Sequence, residues 1–249
     1  MKKLITAAMT LALALSAGAT VRYVAPSGSG DGSSWQNAGG DLQAAIDASQ
    51  AGDQIWVKAG TYAPTSLIKS NKSTSKAFIL KDGVSLYGGF AGTESSLADR
   101  QKGAEAYDFT NATILDANDD TPDVWTRAID SGSSYRWTWE QSANNVTGTK
   151  NNSTHVLYCA ARMTQPTVID GFTLRGGNAN IWQAKAHGGA IYALGTVDLR
   201  NCRILENSCY FTADATDSNS YGGAVYLDGG TMSDCYVAST YCHSSYGSG

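Results

Sequence analysis

Carboxylates and histidines are the side chains with which this chain could run a hydrolytic or eliminative reaction, and they are widely spaced. The densest acidic group is Asn118-Asp119-Asp120, whereas His187, which stands before a Gly-Gly pair, lies far beyond it in the chain. General acid–base chemistry needs such groups within hydrogen-bond reach of the reacting atoms. The spacing favours a solvated acidic loop and a histidine at a chain turn over a catalytic pair. We therefore predict no catalytic residue.

The metal-ligating patterns of the sequence are incomplete. Asp116, Asn118 and Asp120 offer alternating oxygens of the kind found in calcium-binding loops. Such a loop also needs a glycine where Thr121 stands and a glutamate where Arg127 stands, which excludes an EF-hand. The three histidines share no zinc-type spacing with a cysteine pair. We predict no cofactor and no dedicated metal site, and an incidental calcium ion in this loop stays open.

The stretch "YRWTWE" at 135–140 is the strongest candidate for a ligand-binding surface. Tyr135, Trp137 and Trp139 alternate with other residues, so in an extended segment their side chains face one way. Such a row of aromatic rings suits stacking against sugars. The alternative is an aromatic lid over an open strand edge, where tryptophan buries a large area and keeps a polar edge. The sequence leaves both alternatives open.

The elements that position these residues are indicated by an internal repeat. Residues 187–209, "HGGAIYALGTVDLRNCRILENSC", are followed by the similar residues 221–242, "YGGAVYLDGGTMSDCYVASTYC". The Gly-Gly pairs that begin at 188 and 222 are offset by one position more than the cysteines at 202 and 235. The first copy of the repeat therefore has one more residue between these two marks than the second. A period between about 20 and 50 residues is typical of a solenoid or a propeller.

The rest of the chain alternates short apolar runs with Gly, Asn and Asp, which is typical of an all-β fold. One helix is predicted over 41–49, with Asp41 as its N-cap and Gly52 as its C-cap. The next segment alternates apolar residues at Ile55 and Val57, which predicts a strand. A β-sandwich has no reason to repeat its sequence, and a propeller needs four antiparallel strands per repeat. The pattern therefore favours a parallel β-helix, in which like residues stack from coil to coil.

Stacked coils would bring four of the five cysteines into two pairs. Cys202 lies over Cys235 and Cys209 over Cys242 in this alignment, and Cys159 is left over. Neighbouring strands are about 4.8 Å apart, so each pair either stacks as free thiols in the core or forms a disulfide between coils. The sequence slightly favours the free thiols.

The acidic residues of the repeat fall out of step with one another. Asp198 lies four residues before Cys202, whereas Asp234 lies one residue before Cys235. Positions that differ by an odd number point to opposite faces of a strand. We therefore expect no stacked carboxylates and no cleavage of pectin, alginate or other uronic-acid polymers.

The N-terminus and the composition indicate an exported protein. Lys2 and Lys3 precede the apolar run "LITAAMTLALALSAGA", and Ala17-Gly18-Ala19 is a small-residue cleavage pattern, which predicts a signal peptide over 1–19. No later stretch approaches the roughly 18 apolar residues of a membrane span. The net charge of −4 argues against nucleic acid as a partner.

At the repeat, the chain resembles the right-handed parallel β-helix proteins of the pectin-lyase-like class. The likeness is greatest to the exported, adhesin-like branch with polymorphic outer-membrane protein repeats, whose GGA(I/V)Y start stands here at 188–192 and 222–226. The resemblance implies an all-β, right-handed parallel β-helix over 20–249 with a short N-terminal capping helix, and the length and the repeat predict six or seven coils. The polar stretch at about 117–154 has little periodicity, which predicts a loop insertion. We also expect further coils or a cap beyond residue 249, because solenoids need a polar terminal cap.

For function, the resemblance implies an exported or cell-surface β-helix that acts as an adhesin-like binding solenoid. Its partners would be glycans or cell-surface proteins, with Tyr135, Trp137 and Trp139 as candidate ligand-binding residues. The fold also hosts enzymes, so a polysaccharide lyase or glycoside hydrolase is one alternative, and a structural spacer is another.

Overall fold

The structure is a computed structural model, and it describes most of the chain outside the N-terminal segment and the longest loops. The described ranges are 18–119, 124–125, 146–147, 149–159, 161–180, 187–211 and 222–244. Nearly all of the predicted signal peptide lies outside them. No helix within these ranges is both long enough and apolar enough to cross a lipid bilayer.

The described residues form a parallel β-solenoid of about five turns with one short helix. The helix, α1, spans Leu42–Ala48. The strands of the first two turns are β1 (Val21–Val24), β2 (Gln54–Lys58), β3 (Gly60–Tyr62), β4 (Ser66–Leu67), β5 (Lys76–Ile79), β6 (Ser85–Phe90) and β7 (Thr113–Asp116). Two short strands follow in the long connection, β8 (Val124–Trp125) and β9 (Val146–Thr147), which pair antiparallel.

The later turns contain the remaining strands. The third turn holds β10 (Leu157–Tyr158), β11 (Met163–Asp170), β12 (Phe172–Arg175) and β13 (Asn178–Ala179). The fourth and fifth turns hold β14 (Ile191–Arg200), β15 (Arg203–Leu205), β16 (Ser208–Phe211), β17 (Val225–Ser233), β18 (Tyr236–Ala238) and β19 (Tyr241–Ser244). Two 3-10 turns, Leu97–Asp99 and Thr149–Asn151, lie in the longer connections.

Like strands stack along the solenoid in parallel ladders. One ladder runs β1-β2-β6-β11-β14-β17 and a second runs β3-β7-β12-β15-β18. A third, short ladder consists of β13, β16 and β19. The first half of β14 also pairs with β10, which pairs with β5, so the long strands β14 and β17 each contribute to two faces. The all-β parallel architecture predicted from the repeat is confirmed.

The predicted register of the repeat is also confirmed. Cys209 lies opposite Cys242, as the spacing of the cysteines predicts. Ile191 lies opposite Val225, as the slightly longer spacing of the Gly-Gly pairs predicts. The extra residue of the first copy is accommodated at an irregularity of the ladder, where the register shifts between Leu194 and Val197.

The Gly-Gly pair of each repeat occupies a position that only glycine fits. Gly188 and Gly222 have φ angles of 60° and 62°, in the left-handed region. A Cβ atom added to either residue would come within 2.0 Å of a backbone carbonyl oxygen three residues later. The sequence repeat therefore marks the corner at which each coil enters its long strand.

The core is built from ladders of apolar side chains on successive coils. Leu86, Ile169 and Leu199 are register partners in one ladder, and each is fully buried. Leu115, Leu174 and Ile204 form the equivalent ladder on the second face. Each coil covers the apolar residues of its neighbour, so burial, the main stabilising contribution, depends on stacking.

Two predictions need correction. The solenoid has about five turns rather than six or seven, because the cap before β2 and the connections at 91–112 and 117–156 use much of the chain. The C-cap of α1 is Ser49, whose backbone N–H bonds the Ile46 carbonyl, and not Gly52. Gly52 lies in the next turn, where its N–H bonds the Gly83 carbonyl. The N-cap is Asp41, as predicted, and its carboxylate accepts a hydrogen bond from Ala44 N–H.

Candidate functional site

The residues predicted as a sugar-stacking platform, Tyr135, Trp137 and Trp139, lie outside the described residues. Their role stays a prediction. Within the described ranges, a tyrosine recurs at the same position of successive coils on the face formed by β10, β14 and β17.

We call Tyr158, Tyr192 and Tyr226 the tyrosine ladder. Each is the register partner of the next on adjacent coils. Their ring centroids are 5.5 and 5.2 Å apart, with interplanar angles of 20° and 7°. The preceding residues, Leu157 and Ile191, are fully buried, so strand alternation turns the tyrosines outward, where they are half-buried. The result is a stacked row of phenol rings along the solenoid axis.

Two buried histidines brace the ladder. The His155 ring centroid lies 5.4 Å from that of Tyr158, and the His187 centroid lies 4.7 Å from that of Tyr226. His155 Nδ1 lies 2.9 Å from the carbonyl oxygen of Gly188. Because a carbonyl only accepts, Nδ1 carries the proton. Burial is the main reason that the pKa of His155 falls to about 4, so the ring is neutral near pH 7.

The phenol groups of Tyr158 and Tyr192 are protonated hydrogen-bond donors at neutral pH. Burial raises the pKa of Tyr158 and Tyr192 above the ordinary value of tyrosine. A phenol hydroxyl can both donate and accept a hydrogen bond, so the ladder presents polar groups beside its ring edges.

A charged pair lies beside the ladder. Asp228 follows Tyr226 by two residues on β17, so both side chains lie on the same side of the strand. The Asp228 carboxylate accepts a hydrogen bond from the guanidinium of Arg162, and both side chains are about half exposed, at 47% and 56%. The face thus combines phenol rings, hydroxyls and an accessible ion pair.

The candidate acidic residues are engaged elsewhere. Asp170 is buried, and its carboxylate oxygens accept from Arg100 and Arg200 at 3.0 Å each. In the strand register, Asp170 lies opposite Arg200 and Asp198 lies opposite Thr231. The prediction that the acidic residues of the repeat fall out of step is confirmed at these positions. They hold coils together through ion pairs and hydrogen bonds.

The oxygens considered for an incidental calcium ion are also engaged where they are described. The Asp116 carboxylate accepts from Arg175 at 2.6 Å, and the Asn118 side-chain oxygen accepts from Asn152 at 3.0 Å. Asp120 lies outside the described residues. No group of three or more His, Cys, Asp or Glu residues within the described ranges is arranged to hold a metal ion. The expectation of no cofactor stays a prediction, and an incidental calcium ion stays an open alternative.

No protein-family model, curated protein or solved structure matches this chain at a significant level. The site is therefore interpreted from its own geometry. Sequence reasoning used Tyr192 and Tyr226 only as marks of the GGA(I/V)Y repeat and did not single out Tyr158. The signal that would have found the ladder is the recurrence of tyrosine at an outward position, three residues after the Gly-Gly pair in both copies of the repeat.

Proposed function

We propose that this chain is an exported, surface-displayed solenoid of the adhesin-like type, and that it binds an extended glycan along the tyrosine ladder. The observation that supports this is the row of stacked, half-buried tyrosines on three successive coils. The apolar run after Lys2 and Lys3 supports export.

The geometry suits a polymer that lies along the solenoid axis. The rings recur every 5.2–5.5 Å, and the sugar units of an extended polysaccharide recur at a comparable interval. Each unit would meet one hydroxyl and the edge of one ring. Because the contacts are repeated along one chain, weak single contacts add through their high effective concentration.

The ladder is preorganised, which favours binding. Mutual stacking and the flanking rings of His155 and His187 fix the orientation of Tyr158, Tyr192 and Tyr226 before any ligand arrives. A tyrosine that is already ordered loses little conformational entropy on binding. The Arg162–Asp228 pair adds polar contacts at the edge of this face.

The experiment is a binding measurement on the full chain with a panel of soluble linear polysaccharides, neutral and acidic, by affinity electrophoresis and calorimetry. We expect Tyr192→Ala to weaken binding of the retained polysaccharide by roughly 10-fold, which corresponds to about 1.4 kcal/mol. Tyr192→Phe keeps the ring and removes the hydroxyl, so it separates stacking from hydrogen bonding.

The matched control is Tyr236→Ala. Tyr236 is 43% exposed on β18, on a different face, where it stacks on Tyr107. Its removal should leave binding unchanged. Equal binding by wild type and folded Tyr192→Ala protein would contradict the proposal. Release of reducing or unsaturated sugar ends during the assay would instead favour the lyase or hydrolase alternative.

A further inference from the structure

We propose that the two cysteine pairs of the last two coils are sites of oxidative cross-linking, which form the disulfides Cys202–Cys235 and Cys209–Cys242. All five cysteines of the chain are unbridged thiols in the structure. The inference is independent of the proposed glycan binding, since it rests on the strand register and on the contacts of the thiols.

The backbone places each pair within disulfide reach. Cys209 and Cys242 are direct register partners on β16 and β19. Cys202 and Cys235 immediately precede the partners Arg203 and Tyr236 on β15 and β18. Neighbouring strands are about 4.8 Å apart, and disulfides join Cα atoms about 4.4–6.8 Å apart. Neither pair needs the coils to separate or slide.

The thiols of each pair occupy equivalent places on adjacent coils. The Cys202 thiol donates to the Arg200 carbonyl at 3.2 Å and the Cys235 thiol donates to the Ser233 carbonyl at 3.1 Å, and Arg200 and Ser233 are register partners. The inner members, Cys202 and Cys209, are fully buried, whereas Cys235 and Cys242 on the last coil are only partly buried. The outer thiol of each pair is therefore the one that a soluble oxidant meets first.

The neighbouring thiol makes each outer cysteine the better nucleophile. Interaction with Cys202 lowers the pKa of Cys235, and interaction with Cys209 lowers the pKa of Cys242. Burial raises the pKa of Cys202. Because the thiolate is the reactive form, oxidation begins at the outer cysteine of each pair.

A low-molecular-weight disulfide, such as oxidised glutathione, supplies the oxidant. The Cys235 thiolate attacks one of its sulfur atoms, a Cys235–glutathione bond forms, and one glutathione thiolate leaves. Cys202 then loses its proton and attacks the Cys235 sulfur, which expels the second glutathione. Two protein thiols are oxidised and one glutathione disulfide is reduced to two thiols. Cys209 and Cys242 react in the same way.

Cys159 provides an internal control. It is buried, and its thiol donates to the carbonyl oxygens of Ala161 and Leu194. Ala193, the residue after Tyr192, takes the equivalent place on the next coil, since Tyr158 lies opposite Tyr192. Burial also raises the pKa of Cys159. This cysteine should stay a thiol while the other four are oxidised.

The test uses the full chain, purified in reductant and then incubated with oxidised glutathione. Peptide mapping by mass spectrometry without reduction should find Cys202 linked to Cys235 and Cys209 linked to Cys242, with Cys159 free. Each bond closes a loop of about thirty residues in the unfolded chain, so the Tm should rise by roughly 5–10 °C over the reduced protein.

Variants separate the two bonds. Cys235→Ser should abolish the first link and keep the second, Cys242→Ser should do the reverse, and Cys159→Ser should change neither link. Stable glutathione adducts at Cys235 and Cys242, links that involve Cys159, or links between chains would each overturn the proposal. Four thiols that remain unreacted in the folded protein would overturn it as well.

Discussion

The Asn207 side chain hydrogen-bonds backbone groups on two neighbouring coils. It is fully buried at the corner between β15 and β16. Its side-chain oxygen accepts from Gly177 N–H at 2.9 Å, and its amide donates to the carbonyls of Leu174 and Leu205 at 3.0 and 2.8 Å. These three bonds satisfy backbone groups that turn away from the strand ladders at the corner. The next coil has Thr240 at this position, which has no amide group to supply the same set.

His155 makes the stability of the protein depend on pH in the mildly acidic range. Its folded-state pKa is about 4 against an ordinary value of 6.5, mainly because of burial, with a further contribution from nearby His187. Below pH 6.5 the unfolded state binds a proton that the folded state does not. The free energy of unfolding therefore decreases as the pH is lowered. We expect a loss of up to about 3 kcal/mol from this residue between pH 6.5 and pH 4.

The measurement is urea unfolding of wild type and His155→Asn protein across this pH range. Asparagine does not titrate, and its amide can replace the Nδ1 donor to the Gly188 carbonyl. Carboxylates contribute equally to both proteins, so the difference between the two curves isolates the histidine. Parallel curves from pH 6.5 to pH 4 would contradict the assignment.

At the scale of elements, α1 closes the first turn of the solenoid. Leu42 and Ile46 are buried against the core. The Gln43 side-chain oxygen accepts from Ile79 N–H at 2.7 Å, and its amide nitrogen donates to the Ile79 carbonyl at 3.2 Å. The side chain thus takes the place of a neighbouring strand for one residue of β5 and covers an edge that would otherwise be exposed.

We expect Gln43→Met to lower the free energy of unfolding by about 2–3 kcal/mol, because it leaves the Ile79 N–H and C=O without partners. Gln43→Glu keeps an acceptor for the N–H and loses the donor to the carbonyl, so its effect should be intermediate. Chemical denaturation followed by circular dichroism measures both. A Gln43→Met protein as stable as the wild type would show that the edge needs no such closure.

At the scale of the whole molecule, the described coils differ in how far their strand edges are covered. In the part of the chain that the structure describes, no strand pairs with the outer edges of β17, β18 and β19. Met232 and Val237 are 46% and 41% exposed, although their register partners Leu199 and Ile204 are fully buried. The same kind of apolar position is therefore covered inside the solenoid and open on the last coil.

This difference predicts a gradient of hydrogen exchange along the axis. In the reduced full chain, amides of β17–β19 should exchange faster than those of β14–β16, which have neighbours on both sides. The two sets have similar sequences, so the second is a matched control for the first. Mass spectrometry of deuterium uptake measures both, and equal protection of β14 and β17 would count against the open edge.

Much of the fold follows from the repeat. The spacing of the cysteines aligns Cys209 with Cys242 and Ile204 with Val237, because stacked coils need like residues at like positions, and the strand register contains the same pairs. The corners between strands were harder to predict from the sequence. The corner after β11, β14 and β17 is occupied by Gly171, Asn201 and Asp234, all with positive φ. Glu206 and Ser239 also have positive φ, at 56° and 51°, and neither residue type marks such a turn from sequence.

The sequence by itself determined the class of fold, the period of the coil and the pairing of the cysteines, because each depends on the spacing of residues within one repeat. The tertiary structure decided which side chains meet across turns of unequal length. Tyr158 lies in a turn whose sequence does not resemble the repeat, and only the strand register places its ring beside that of Tyr192 in the ladder. Arg100 and Asp170 are distant in the chain and meet because the connection after β6 folds back over the coil. Such contacts depend on how the long connections fold, and no local pattern of residues encodes them.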